Sequence, residues 1–104
     1  MADHKTVWLY IYEERHDYDG PAFLVFAKEQ DAYTHAAEVI KGIAENERTA
    51  FDWTPDATNP QELDEILLHI NQGKFKDAVA LWEGYQHEYD HDEKVEVLGV
   101  KFFE

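Results

Sequence analysis

Seven residues near the start, Thr6-Val7-Trp8-Leu9-Tyr10-Ile11-Tyr12, constrain this chain more than any others. Their β-branched and aromatic side chains predict an extended strand, with Val7, Leu9 and Ile11 on one side and Trp8, Tyr10 and Tyr12 on the other. A strand that is apolar on both faces needs cover on both, or it leaves one face for a partner. The remainder of the chain has to supply that cover.

After a polar stretch holding Gly20 and Pro21, Ala22 to Phe26 is apolar again, which predicts a hairpin with a long loop. The period then changes. Ala32, Tyr33, Ala36, Ala37, Ile40, Ile43 and Ala44 recur at helical spacing and predict an amphipathic helix from Glu29 to about Glu47. A connector from Thr49 to Thr58 offers Phe51 and Trp53 as apolar anchors. Asn59-Pro60-Gln61-Glu62 then combines a capping residue, a proline at the first helical position and a glutamate three residues after the cap. Leu63, Ile66, Leu67 and Ile70 form the buried stripe of this second helix, and Gly73 is placed to close it in a left-handed cap. A third helix runs from about Lys74 to Tyr85 or beyond. The end, Val95 to Glu104, is a third strand, and the parity change beside Gly99 predicts a bulge or bend. The order β-β-α-α-α-β gives an α+β fold, a three-stranded antiparallel sheet with three helices, as one acidic domain over residues 1–104. Either the helices divide between the two sheet faces, or an aromatic face is a protein interface.

Charge narrows the partners. The chain has 104 residues, 23 acids against 9 bases, and a formal charge of −14. A surplus of this size repels nucleic acid and anionic membranes and favours a basic protein surface. It is also unevenly placed, because residues 49–93 hold eleven acids and only Lys74 and Lys76, giving −9 of the −14. Cysteine and serine are both absent, which removes disulfides, thiolate metal ligands and serine nucleophiles. The opening residues lack a secretory signal pattern and no run is long enough to span a membrane, so the expected location is cytoplasmic.

Few constellations carry chemistry. His87 and His91 are four apart, so a continuing third helix would put two imidazoles on one face with acids near by. Glu88 directly follows the first histidine, as in a metalloprotease helix, but no third ligand follows His91. Asp17-Tyr18-Asp19-Gly20 starts like a calcium loop, yet its twelfth position is Lys28 where a bidentate glutamate is required. The five glycines are scattered and form no phosphate cradle. No cofactor and no catalytic residue is therefore expected, and the chain reads as a non-enzymatic protein.

The stretch Ile70 to Tyr85 resembles the turn of a tetratricopeptide-type helical hairpin, with Gly73, Phe75, Ala78 and Trp82 at matching positions. It occurs once, which bears on how two helices pack and not on a repeat array. In size, charge and want of catalytic motifs the chain resembles small acidic inhibitors of phages and mobile elements, including DNA mimics and anti-CRISPR proteins. Its opening third is also similar to small bacterial proteins of unknown function. The inhibitor resemblance implies an acidic surface that occupies a basic, nucleic-acid-binding surface of a partner. The expected contributors are Asp56, Glu62, Asp64, Glu65, Glu83, Glu88, Asp90, Asp92 and Glu93, with Trp53 and Tyr89 as anchors. The alternatives are a small cytoplasmic accessory protein that forms a homodimer through its sheet face, with acidity serving solubility, and a metal-binding protein using His87 and His91.

Overall fold

The computed structural model describes residues 4–14, 20–50, 60–89 and 91–103, and within them the chain runs β1 (His4–Glu14), β2 (Ala22–Phe26), α1 (Glu29–Ala50), α2 (Pro60–Asn71), α3 (Phe75–Glu88) and β3 (Glu93–Phe103). The strands form one antiparallel sheet in the order β2-β1-β3. The two-faced strand is therefore the central one. Its alternation divides the sheet cleanly, because Trp8, Tyr10 and Tyr12 stand opposite Phe26, Leu24 and Ala22 on one flank and Gly99, Val97 and Val95 on the other.

That aromatic face is the covered one. Tyr10, Val95 and Val97 join Ala32, Ala36, Ala37, Ile40, Ile43 and Ala44 of α1 and Ala78, Val79, Trp82 and Tyr85 of α3 in a single core. α1 and α3 lie on the sheet, and α2 packs on those two helices through Leu63, Ile66 and Ile70 without touching it. The four alanines of α1 let backbones approach closely where that helix is sandwiched. Trp82 is completely buried. At roughly 25 cal/mol per Å² over about 200 Å², its burial contributes on the order of 5 kcal/mol before chain entropy is subtracted.

The helices do not divide between the faces. Val7, Leu9 and Ile11 look away from the core, together with Phe23 (55% exposed), Val25 (64%), Leu98 (48%) and Val100 (42%). No described helix packs there. The expected bulge at Gly99 is also absent, since the β1–β3 register continues unbroken from His4↔Phe103 to Glu14↔Glu93. The parity change has another cause: Leu98 and Val100 belong to the bare face, and Gly99 faces the core beneath the Trp8 ring.

Gly73 ends α2 as the sequence predicts. Its φ is +77°, its N–H donates to the Ile70 carbonyl at 3.0 Å, and the Lys74 N–H donates to the His69 carbonyl at 2.9 Å. These two bonds make a Schellman turn, which sends α3 back along α2 as an antiparallel hairpin. Two side chains on α3 then reach the free edge of β3: Gln86 Oε1 accepts the Val95 N–H at 2.8 Å, and the Glu83 carboxylate accepts that of Val97.

Candidate functional site

The α2–α3 hairpin places the first turns of α2 beside the last turns of α3. A groove of about 340 Å³ opens between them, lined by Glu62, Glu65 and Ile66 of α2 and by Ala80, Leu81, Gly84, Tyr85 and Glu88 of α3. Three carboxylates thus surround an apolar floor, with no basic residue among the described residues that line it. Tyr89, 41% exposed, closes one end: its hydroxyl donates to Glu62 Oε1 at 3.2 Å and its ring lies 4.8 Å from that of Tyr85.

Helix stability accounts for only part of this placement. Glu62, in the first turn of α2, suits the positive end of a helix dipole. Glu88 does not, because it sits in the last turn of α3, where a negative charge opposes the dipole. The central segment's own two lysines are far off at the opposite end of the hairpin. Lys76 lies twelve residues before Glu88, or about 18 Å along α3 at 1.5 Å per residue, which exceeds the screening length of about 8 Å at physiological salt. It is engaged there, donating to Glu29 Oε1 at 3.1 Å.

The other expected acids have separate surroundings. Asp64 faces α1 and accepts from Arg48 Nε at 3.0 Å. Glu83 turns to β3 as described, and burial beside that strand raises its pKa. Glu93 Oε2 accepts the Tyr12 hydroxyl at 2.8 Å. Asp92 is exposed beyond the end of α3. Trp53, Asp56, Asp90 and the Asp17 to Asp19 stretch lie outside the described residues.

The histidine pair is parted. α3 ends at Glu88, so His87 stays on its exposed surface while His91 falls past the helix and turns inward. Among the described residues, no cluster of three or more potential ligands could hold a metal. The His91 ring packs 4.9 Å from Trp82, edge to face, and its Nε2 meets Glu47 Oε1, whose second oxygen accepts the Tyr85 hydroxyl at 3.1 Å. His91 Nδ1 accepts the Glu93 N–H at 2.9 Å, which assigns the ring hydrogen of the neutral form to Nε2, donating to Glu47. This trio ties the end of α1 to the end of α3 and the start of β3. Burial raises the Glu47 pKa, outweighing the opposite pull of His91 and of the Tyr85 hydroxyl, while Glu93 and Asp92 add to the rise.

Sequence reasoning missed Glu47, although a signal was available. Ile40, Ile43 and Ala44 define the buried stripe of α1, and Glu47 is its next member, a carboxylate at a core position.

No helix among the described residues is long and apolar enough to cross a membrane. Comparison with protein-family models, curated proteins and solved structures finds no match for this chain.

Proposed function

We propose that this chain is a non-enzymatic protein-binding module whose α2–α3 groove takes a basic segment of a partner protein. The observation that carries the reading is the convergence of Glu62, Glu65 and Glu88 around the Leu81 floor, with Glu88 placed against its own helix dipole. An arginine or lysine of the partner lays its alkyl stem on Leu81 and Ala80 and its charge among the carboxylates. Tyr89 and Tyr85 supply an aromatic anchor at the groove's end. The partner class is a nucleic-acid-binding protein, because its basic surface presents such side chains in a row and would be occupied in competition with nucleic acid.

An arginine-rich peptide, titrated by calorimetry at low and high salt, tests the groove. Two triple variants carry the same net charge: Glu62→Gln with Glu65→Gln and Glu88→Gln in the groove, and Asp31→Asn with Glu38→Gln and Glu45→Gln on the exposed side of α1. Binding that weakens with salt and is lost only in the groove variant supports the reading. Equal affinity in both variants sinks it.

A further inference from the structure

The two edges of the sheet are built differently. β3 carries Glu93, Lys94, Glu96 and Lys101, and its outward Val95 and Val97 N–H groups are taken by the side chains of Gln86 and Glu83. Charges and occupied donors keep an edge strand from pairing. β2, at the other edge, is Ala-Phe-Leu-Val-Phe within an eight-residue stretch, Gly20 to Ala27, that holds no charged residue. No described strand lies beyond it. Phe23, Leu24 and Val25 are 55%, 44% and 64% exposed, although successive side chains of a strand point to opposite faces. β2 is thus open on both faces as well as along its edge.

The ladder determines which backbone groups of β2 face outward. The Val95 N–H points away from β1, so its ladder partner Tyr12 directs its own N–H and C=O to β2. By alternation Tyr10 and Trp8 do the same, bonding to Leu24 and Phe26, and the outward groups are those of Phe23 and Val25. They flank Leu24 symmetrically. A two-fold axis normal to the sheet beside Leu24 lays a second β2 antiparallel against the first. Phe23 then meets Val25 twice, exchanging both N–H···O bonds each time, and Leu24 meets Leu24 as a non-hydrogen-bonded pair.

Three observations favour a second copy as the added strand. A strand that docks on β2 must be apolar on both faces and have an open edge of its own; among the described strands β2 alone has both, since β1 is paired on each side and β3 is guarded. Joining β2 to β2 uses the open edge of each copy and ends the enlarged sheet on two guarded β3 edges, so the assembly closes instead of growing into a fibre. There is also room, because α1 lies over β1 and β3 more than over β2. Its axis is then about two strand spacings of 4.8 Å from the two-fold axis, which sets the two α1 helices roughly 20 Å apart, about twice the distance of packed helices.

We propose that the chain forms a homodimer by pairing β2 with β2 across a two-fold axis at Leu24, continuing one sheet through both copies. The α2–α3 groove takes no part in the contact. The proposal is independent of what that groove binds.

Leu24→Cys tests the register directly, because the chain has no cysteine of its own. Non-hydrogen-bonded partners stand about 4.5 Å apart at Cα, within the span of a disulfide. Mild oxidation is expected to link Leu24→Cys into a covalent dimer and to leave Leu98→Cys unlinked, a site as exposed but on the far side of β1. Sedimentation of the full chain is expected to show a species of twice the 12.2 kDa chain mass, which added salt tightens by screening the repulsion between two acidic copies. That sign is opposite to the one expected for a peptide in the groove, so the two readings fail separately. Val25→Pro removes only an outward N–H, at an edge position that accepts proline, so the chain folds and the dimer weakens on the order of 10- to 100-fold. Leu24→Lys sets two like charges on the axis and is expected to weaken it on the order of 100-fold. A monomer at every protein and salt concentration overturns the proposal. So does a dimer indifferent to Val25→Pro and Leu24→Lys, or one that links as readily through Leu98→Cys, which would place the contact on the bare sheet face.

Discussion

The Trp8 ring lies across Gly99, its partner in the β1–β3 ladder, so closely that a Cβ added at Gly99 would stand 2.9 Å from Trp8 Cζ3 and 3.1 Å from Cη2. Trp8 packs on the core from the end of the covered face, 6.3 Å from the Tyr33 ring, and the missing side chain opposite is what gives its indole room. Gly99→Ala is therefore expected to push the indole off its seat and to cost about 1–3 kcal/mol, as overpacking does. Urea unfolding followed by tryptophan fluorescence reads both the stability loss and the changed Trp8 environment. Unchanged stability would mean that the ring yields freely.

Gly73 offers a second test on different grounds. An added Cβ there meets nothing within 4 Å, so only its φ of +77° resists replacement. Gly73→Ala is expected to lower the urea midpoint by an amount worth about 1–2 kcal/mol with an unchanged slope. Gly73→Asn, whose side chain tolerates left-handed backbone, should recover part of that loss.

Glu47 sets part of the acid end of the stability curve. Its folded pKa is raised, so the folded chain holds this proton more tightly than the unfolded chain does. The associated stability is fully present below the ordinary glutamate value of about 4.3 and is lost as pH rises through the folded value. Glu47→Gln removes that dependence while leaving an amide oxygen for His91 or Tyr85. The stability difference between variant and parent, from urea unfolding at a series of pH values, should move in the variant's favour as pH rises from the acid range. A difference independent of pH would contradict the assignment.

Among the described residues, three tyrosines contribute at the alkaline end. Burial raises Tyr10 and Tyr33, and Tyr12 rises through burial, its bond to Glu93 and the charges of Glu93 and Glu14. Their contribution is intact below about 10 and is lost as pH climbs through the folded values. Ultraviolet titration of tyrosinate should therefore show a late fraction that ionises together with unfolding. Glu93→Gln retains an acceptor for the Tyr12 hydroxyl but removes the charge, so it should bring the Tyr12 titration down.

Local pattern was enough wherever one residue's own geometry decided the outcome. The alternation of Thr6 to Tyr12, the helical stripes of Leu63 to Ile70 and of Ala32 to Ala44, and the Gly73 cap were all legible, and with them the element order. What escaped was settled by contacts distant in sequence. Nothing local reveals that α1 and α3 would share one sheet face, that Gly99 would lie under Trp8 from the other end of the chain, or that His91 would leave the helix to meet Glu47 and Trp82. The acids divide in the same way. Composition places them in the central segment, but the pairing of α2 with α3 is what gathers Glu62, Glu65 and Glu88 and leaves Asp64, Glu83 and Glu93 to other contacts.

The pairing of β1 with β3 also fixes an order of events during synthesis. His4 meets Phe103, so the middle strand of the sheet cannot gain its longer neighbour until almost all of this sequence has left the ribosome. The α2–α3 hairpin closes over a three-residue turn and can form well before that. In the interval Trp8 and Tyr10 have a five-residue strand and the helices to lean on, and the aliphatic row of Val7, Leu9 and Ile11 is open. A nascent chain stalled before Glu93 is accordingly the form of this protein most in need of a chaperone.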